Sequence, residues 1–318
     1  NPFISHSEYT FNELTSRNLK YDSNHPVYSN KSCSVFISRN TFNPPTYYAL
    51  KTSSKVSRLR REYEVYQSIG HHPSIISCYD MWIHKGIAFL QLELAPNGSI
   101  RNKLFSFSNI QIWKIFSHII FALQKIHSTE YMHLDISPSN ILQFKPSNDS
   151  FEIYKLTDFG TAIKFKTFDE DCEGAGPYVS PEALDYPYTE YEVGSPTDIF
   201  SFGIVMMEIV AKKLAPRTGK GYQSLRKGGF NFSSYKIPDE FSFIINMLDP
   251  DPRKRPTADQ LVSMPTVQEE IKKLTSNQVK QILATTSAAT PNIPSNKLIP
   301  ETPYTDKYTK RKILFDDL

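Results

Sequence analysis

This chain has few cysteines, no long apolar run and a small net charge, and each of these features excludes a class of protein. Its 318 residues include three scattered cysteines with no C-x-x-C pair, which excludes a disulfide framework and favours a reducing, intracellular compartment. No apolar run approaches the roughly 18 residues of a membrane span. The formal net charge of +3 predicts no large basic surface for nucleic acid. The first residues lack an initiator methionine and a signal-peptide pattern, so we expect a fragment of a longer protein.

The order of patterns along the chain predicts an α+β protein with two lobes. Segments rich in β-branched and aromatic residues come first, at 34–38, 46–51 and 87–94, with a charged, helix-compatible segment at 57–69. Helical apolar spacing follows at 112–126, and the segment 199–210 is apolar enough to belong in a core. The expected divisions are an N-terminal flank (1–26), a small β-rich N-lobe with one helix (27–95), a large, mainly helical C-lobe (96–274) and a disordered tail (275–318).

A few charged and amide residues stand at positions that suggest chemistry. Lys51 ends a strand-like segment, and Glu62 lies on the helix predicted after it. Asp135 and Asn140 are five residues apart in a loop after the long amphipathic helix, and Asp158 precedes Phe-Gly. Each has an ordinary alternative, because a strand-end lysine is commonly a solvated charge and an aspartate before glycine is common in turns.

Together and in this order, these motifs resemble the protein kinase family. The resemblance includes Tyr178–Glu182, Asp198–Gly203 and Asp251–Pro256. It implies the bilobal protein-kinase fold with ATP and Mg²⁺ as cofactors. By the family pattern, Glu62 would hold Lys51 on the α and β phosphates, Asp135 would be the catalytic base, and Asn140 and Asp158 would bind metal. Glu182 and Arg255 would form a buried ion pair that braces the C-lobe.

The same family order places the adenine-binding positions at the end of segment 87–94. Leu92 would be the gatekeeper residue. The backbone of Glu93, Leu94 and Ala95 would face the adenine. These assignments follow from the resemblance alone.

Several details are similar to the Wee-type kinases. Leu134 stands between His133 and Asp135, where most kinases have arginine. In the absence of that arginine, activity need not depend on a phosphate in the activation segment. Further similarities cover about residues 46 to 270 and include Gly70–Pro73, Glu173-Gly174, Gly221–Arg226 and Met247–Pro252.

The Wee-type resemblance implies a substrate and a role. The substrate would be a cyclin-dependent kinase, phosphorylated on the tyrosine of its glycine-rich loop, with the neighbouring threonine as a second acceptor. A phosphate there would repel and misalign the phosphates of ATP, and so restrain entry into mitosis. We also expect a monomer that acts in the nucleus or cytoplasm and binds no nucleic acid.

The chain departs from the family pattern in its glycine-rich loop. Tyr28, Asn30 and Cys33 occupy the positions of the three glycines, just before Val35, and all four would belong to the ATP site. Glycine lets a backbone approach phosphates without a Cβ atom in the way. The substitutions predict a looser or obstructed nucleotide site.

A second departure removes a positive charge from the catalytic loop. Ser137 replaces the lysine that contacts the γ-phosphate, and Ser139 stands where tyrosine-kinase families have arginine. Losing one preorganised electrostatic contact typically costs about 10²–10³ in rate. Two alternatives therefore remain open beside the Wee-type enzyme, a pseudokinase that acts as a binding module and a generic Ser/Thr kinase.

The tail contains candidate interaction motifs. Thr290-Pro291 and Thr302-Pro303 are minimal proline-directed phosphorylation sites. The segment 310–315 resembles a cyclin-docking motif through Lys312, Leu314 and Phe315. A short helix packed on the C-lobe or a basic import signal explains the same segment equally well.

Overall fold

The structure is a computed structural model that describes residues 14–22, 25–30, 33–145, 151–168 and 176–285, with side chains as far as Ser276. The Glu173-Gly174 similarity lies outside these ranges. The predicted docking residues Lys312, Leu314 and Phe315 also lie outside them, so cyclin docking stays a prediction.

The described elements form a bilobal α+β protein in which strands precede helices. The strands are β1 (Leu19–Tyr21), β2 (Tyr28–Ser29), β3 (Ser34–Asn40), β4 (Tyr47–Ser53), β5 (Cys78–His84), β6 (Ile87–Glu93), β7 (Tyr131–Met132), β8 (Ile141–Phe144), β9 (Ile153–Leu156) and β10 (Ile163–Lys164). The helices are α1 (Val56–Ile69), α2 (Asn109–Ser128), α3 (Pro181–Leu184), α4 (Ser195–Ala211), α5 (Gly219–Lys227), α6 (Ile244–Met247), α7 (Ala258–Val262) and α8 (Pro265–Thr285). No helix in the described ranges is both long and apolar enough to cross a membrane.

The N-lobe is an antiparallel sheet with one long helix packed against it. Its strand order is β1-β3-β4-β6-β5, and β2 also pairs with β3. Helix α1 buries Leu59, Val65 and Ile69 against the sheet, in the same hydrophobic cluster as Leu90 of β6. Strand β4 therefore lies in the middle of the sheet, which places Lys51 between β3 and β6 and under α1.

The sheet begins earlier than the boundary predicted at residue 27. Strand β1 pairs with β3 from Leu19 opposite Asn40, within the segment assigned to the N-terminal flank. Leu14 and Leu19 are buried in a small cluster with Trp82 and Phe89. Isolated leucines in a polar stretch carry no periodic signal, so the sequence alone did not indicate this strand.

Helix α8 also crosses a predicted boundary. It continues to Thr285, past residue 275, where the tail was expected to begin. The helix is anchored by Val267, Ile271 and Leu274, whose spacing of four and three residues places them on one buried face. The tail from residue 286 onward lies outside the described residues.

The C-lobe is organised around two helices. Helix α4 is buried continuously from Thr197 to Ile209, which confirms that this apolar segment is a core helix. Helix α2 packs beside it, and the Phe116 and Phe202 rings stack with centroids 5.7 Å apart. The start of α2 is fixed by a capping box, in which the Ser108 hydroxyl accepts the Gln111 N–H.

Two short ladders hold the loops that contain the candidate catalytic residues. Strand β7 pairs with β10, and β8 pairs with β9. The loop 133–140 connects β7 to β8, and the loop 157–162 connects β9 to β10. Because both ends of each loop are paired, the two loops are held side by side.

The predicted ion pair between Glu182 and Arg255 is confirmed. The Arg255 guanidinium donates to the Glu182 carboxylate at 2.7 and 2.8 Å, and neither side chain is exposed to solvent. Arg255 also donates to the carbonyls of Asp249 and Pro196 at 2.8 and 2.9 Å. The pair thus joins α3 to the start of α4 and to the turn before α7.

Replacing Arg255 with methionine is expected to destabilise the protein strongly, because it leaves the Glu182 carboxylate buried without a cation. We expect the free energy of unfolding to fall by about 3–5 kcal/mol, as measured by urea denaturation. The matched control is Arg253→Met, which breaks the exposed pair between Arg253 and Asp251 and should change stability little. Equal losses in the two variants would contradict the bracing role.

Candidate active site

The centre of the candidate site is a lysine that bonds two carboxylates. Lys51 Nζ lies 2.8 and 3.0 Å from the carboxylate oxygens of Glu62 and 2.9 Å from Asp158 Oδ1. The Lys51 and Glu62 side chains are almost entirely buried, whereas the Asp158 side chain remains 34% exposed. One cation thus links the sheet, helix α1 and the loop 157–162, and the more exposed carboxylate faces the cleft between the lobes.

The charges of this cluster depend on one another. Burial opposes the charge of Lys51, but Asp158 and Glu62 outweigh burial and hold the pKa of Lys51 well above its usual value. Burial would also raise the pKa of Asp158, but Lys51 and the Gly160 N–H together lower that pKa to about 2. Burial raises the pKa of Glu62 to about 7 against the attraction of Lys51. Of the two carboxylates that bond Lys51, Asp158 is therefore the one that stays ionised at neutral pH.

Asp135 is held by Asn140 across the second loop. The Asn140 side-chain amide donates to the Asp135 carbonyl at 2.8 Å and to Asp135 Oδ2 at 2.9 Å. A short 3₁₀ turn over Pro138–Asn140 brings the two residues together. Burial, together with the charge of Asp158, raises the pKa of Asp135 to about 7. Its carboxylate can therefore accept a proton near neutral pH.

The residues expected to bind Mg²⁺ fit that ion. Asp158 contributes a partly exposed carboxylate, and Asn140 turns its amide nitrogen toward Asp135, which leaves the amide oxygen to face a cation. Mg²⁺ prefers such oxygen ligands and is typically bound by one or two side chains together with substrate phosphates. In keeping with that mode, the described ranges contain no group of three or more His, Cys, Asp or Glu residues able to hold a metal by themselves.

Asp198, at the start of α4, fixes the backbone of the catalytic loop. Its buried carboxylate accepts the N–H groups of His133 and Leu134, each at 2.9 Å, and it also contacts His127 Nε2 at 2.9 Å. Leu134 has φ +64°, a conformation that is strained for a side chain of its size. The two backbone hydrogen bonds to Asp198 stabilise this strained turn and so fix the position of the next residue, Asp135.

A stack of rings couples helix α1 to both loops. Phe159 lies between Tyr66 of α1 and His133, with centroid distances of 4.8 and 4.9 Å. Burial lowers the pKa of His133, and its Nε2 donates to the Thr157 carbonyl at 3.0 Å. Because Phe159 follows Asp158 and Tyr66 is one turn from Glu62, the stack fixes the two carboxylates around Lys51 at the same time.

The predicted adenine-binding residues lie at the end of β6. Leu92 is buried and stands opposite Ala49 of β4. The Glu93 carboxylate bonds Lys155 Nζ at 2.6 and 2.8 Å and accepts the Ser77 N–H at 3.0 Å. Leu94 and Ala95 follow and are half-buried. Their contact with adenine stays a prediction.

Side-chain hydrogen bonds occupy the region of the expected glycine-rich loop. The Asn30 amide oxygen accepts the Cys33 N–H at 2.8 Å, and its amide nitrogen donates to the Tyr28 hydroxyl at 2.9 Å. Burial raises the pKa of both the Tyr28 hydroxyl and the Cys33 thiol. Val35, further along β3, pairs directly with Lys51 of β4. Side-chain hydrogen bonds thus join Tyr28, Asn30 and Cys33, the positions where glycines were expected.

A cation that sequence reasoning missed lies beside the catalytic loop. Arg101 Nη1 donates to Ser139 Oγ at 3.1 Å, and Arg101 is half-buried. Ser137, where the lysine is missing, is nearly buried and has an extended backbone. Arg101 belongs to a 3₁₀ turn after β6, far from the loop in sequence, so no motif could have indicated the contact.

Leu134 packs in an apolar cluster at the position of the usual arginine. It is buried with Met132 and Val193, and Phe165 and Phe168 pack against the group. The two phenylalanines belong to the segment that follows β10. Apolar packing therefore attaches this segment to the catalytic loop without a charged group.

The comparisons with known proteins agree with this site. A model of the protein kinase domain matches residues 46–267. The mitosis inhibitor protein kinases wee1 and mik1 of Schizosaccharomyces pombe are each 30% identical, over 65% and 60% of this chain. A membrane-associated tyrosine- and threonine-specific cdc2-inhibitory kinase of Drosophila melanogaster is also 30% identical, over 70% of the chain. The chain spans 26%, 34% and 42% of the lengths of these three proteins. It belongs to the protein kinase family and resembles the Wee-type members of that family.

Proposed function

We propose that this protein kinase phosphorylates the glycine-rich-loop tyrosine of a cyclin-dependent kinase, with the neighbouring threonine as a second acceptor, and so restrains entry into mitosis. Phosphoryl transfer is supported above all by the contact of Lys51 with both Glu62 and Asp158. The substrate class is supported by the similar proteins, which include a mitosis inhibitor protein kinase and a cdc2-inhibitory kinase.

Each residue of the cluster has a defined task in this proposal. Glu62 fixes the Lys51 ammonium, which positions the phosphates of ATP. Asp135, oriented by Asn140, accepts the proton of the attacking hydroxyl, a role that typically contributes about 10²–10⁴ in rate. Asp158 and Asn140 would hold Mg²⁺, which supplies neutralisation of phosphate charge when bound. Lys51 contacts Asp158 through Oδ1, so Oδ2 would be the oxygen that binds the metal.

The apolar cluster around Leu134 supports activity without a phosphorylated activation segment. In a kinase that needs such phosphorylation, new pairs between arginine and phosphate order the segment. Here the segment after β10 is attached by Phe165 and Phe168 through van der Waals contacts with the Leu134 cluster. That attachment needs no added charge.

The glycine-rich-loop region favours a second candidate, a pseudokinase that holds partners. Asn30 bonds both Cys33 and Tyr28, so side-chain hydrogen bonds join the positions where the family pattern has glycines. Side chains at these positions would obstruct phosphate entry, whereas the Lys51 cluster is suited to phosphate binding. Nucleotide binding therefore separates the two functions.

Mg-ATP is expected to raise the melting temperature of the wild-type protein if the loop admits the nucleotide. Asp158→Asn should reduce that rise, because an amide binds Mg²⁺ more weakly than a carboxylate. Differential scanning fluorimetry measures both, with the exposed Asp239→Asn substitution as the matched control. A wild-type protein whose melting temperature ignores Mg-ATP would favour the pseudokinase.

Transfer itself is tested on a catalytically dead cyclin-dependent kinase bound to its cyclin. With Mg-ATP present, we expect phosphotyrosine in the glycine-rich loop of that substrate. Asp135→Asn should lower the rate by about 10²-fold or more, since it removes the proton acceptor. Bound ATP without any transfer would contradict the proposed function, and phosphorylation of serine peptides alone would favour a generic Ser/Thr kinase.

Restoring the missing positive charge tests how far Ser137 lowers kcat. Ser137→Lys is expected to raise kcat by roughly 10-fold or more, because a preorganised cation near the γ-phosphate stabilises the transition state. The matched control is Ser128→Lys, at the end of α2 and away from the loop. An unchanged kcat in single-turnover measurements would mean that another group already supplies the charge.

A further inference from the structure

A surface groove lies in the C-lobe, apart from the lysine cluster. We call it the α5 groove, an open depression of about 530 Å³ between α5 and the segments on either side of it. That volume is within the range of binding pockets, roughly 300–1,000 Å³. Among its lining residues are Lys213, Leu214, Pro216, Phe230, Ser234 and Tyr235.

The floor of the α5 groove is formed by Leu214, Phe230 and Tyr235 and is held in place by internal contacts. The Phe230 ring lies 5.6 Å from the ring of Tyr235 and 4.9 Å from that of Phe232. The Tyr235 hydroxyl donates to the Leu214 carbonyl at 2.9 Å, which joins the segments before and after α5. The Leu214 side chain nonetheless remains 49% exposed. The groove thus offers an exposed apolar side chain among polar lining residues.

The stretch of chain that forms the groove is rich in positive charge, and of its lysines Lys213 lines the cavity itself. Between Glu208 and Asp239 the chain has seven lysines and arginines and no acidic residue. Arg217 pairs with buried Glu208 at 2.8 Å, and Arg226 bonds backbone carbonyls. The other five are exposed, and no ion pair joins them to an acidic side chain in the described part of the protein; they are Lys212, Lys213, Lys220, Lys227 and Lys236.

Helix α5, which contributes Ser224 to the groove, also contacts the end of the activation segment. Arg226 of α5 donates to the carbonyls of Val179 and Pro177, each at 2.9 Å. The Tyr222 hydroxyl donates to the Gly176 carbonyl at 3.2 Å. A protein bound in the groove would therefore contact the helix that holds the residues leading into α3.

We propose that the α5 groove docks an acidic segment of the protein substrate that carries a bulky apolar side chain. The lysines complement the acidic residues, and the floor made by Leu214, Phe230 and Tyr235 accepts the apolar side chain. That the docked protein is the substrate rests on the proposed function. The acidic and apolar character of the segment does not.

Other polyanions match only part of this surface. A nucleic acid would contact the lysines but has no apolar side chain to pack on the exposed Leu214. The segment Ile313–Leu318 of this chain is itself apolar and acidic, so the chain could supply its own occupant. Both possibilities are separate outcomes of the test.

The test is a fluorescein-labelled synthetic peptide of aspartates and glutamates around a central Leu-Phe pair, with binding followed by fluorescence anisotropy. The Lys213→Glu/Lys227→Glu double variant should weaken binding by about tenfold through charge repulsion. The Lys145→Glu/Lys272→Glu variant has the same net charge but places its changes on exposed lysines elsewhere, and it should bind normally. Leu214→Ser should weaken binding by roughly fivefold, whereas Ile110→Ser, at another exposed apolar residue, should not.

The substrate assay then separates docking from chemistry. On the cyclin-dependent kinase complex, the Lys213→Glu/Lys227→Glu variant should raise KM for the protein by about tenfold and leave KM for ATP unchanged. Failure of the wild-type protein to phosphorylate that complex would overturn the proposed function, but the peptide result would stand.

Three results would overturn docking itself. The first is equal peptide affinity in the groove variants and their controls. The second is equal binding of a peptide in which alanines replace the Leu-Phe pair, because that would indicate a general polyanion surface. The third is displacement of the probe by unlabelled peptide 313–318 together with an unchanged KM for the substrate in the Lys213→Glu/Lys227→Glu variant, because the groove would then bind the chain's own tail and not the substrate.

Discussion

The contact of Lys51 with Glu62 and Asp158 is the constraint on which the rest of the structure depends. Burying one ammonium beside one fully buried carboxylate is costly unless the geometry is good and the remaining atoms are paired. The bonds of 2.8 to 3.0 Å meet that condition only if β4, α1 and the loop 157–162 are all in place. The N-lobe sheet and the stack from Tyr66 through Phe159 to His133 supply that placement. The formation of this ion pair therefore depends on the arrangement of the lobes as well as on the chemistry of the site.

The C-lobe holds a second constrained feature, the loop whose backbone is strained at Leu134. Leu134 has a left-handed backbone, and Asp198 stabilises it by accepting two consecutive N–H groups. Asp198 can do so because α4 is buried on all sides and starts directly under the loop. The Glu182–Arg255 pair fixes the start of the same helix. Catalytic geometry in this chain thus rests on a core helix that touches no substrate.

Sequence reasoning located the parts of the site that are local, and missed those that only the fold brings together. Lys51, Glu62, Asp135, Asn140 and Asp158 were identified because each sits in a short motif with a fixed order, and the structure brings them into two adjoining hydrogen-bonded groups. Arg101 was missed because it reaches Ser139 from a turn that has no motif. Strand β1 was missed because Leu19 stands alone in a polar stretch. The groove beside α5 was missed because Leu214, Phe230 and Tyr235 come together only after folding. The limit is physical, since tertiary contacts between irregular segments leave no periodic trace in a sequence.

The residues that follow the kinase pattern and those that depart from it lie in different parts of the site. The residues proposed to bind metal or accept a proton are all retained, and each also takes part in a hydrogen-bonded network, so its loss would cost stability as well as chemistry. The departures at Tyr28, Asn30, Cys33 and Ser137 lie on loops that the family pattern places beside the phosphates, where a side chain would change affinity and rate without removing support from the core. Arg101 places a positive charge beside the same loop that lacks its lysine. A protein built in this way can lose catalytic rate while keeping its kinase architecture, and it then depends more heavily on contacts outside the cleft to hold its substrate.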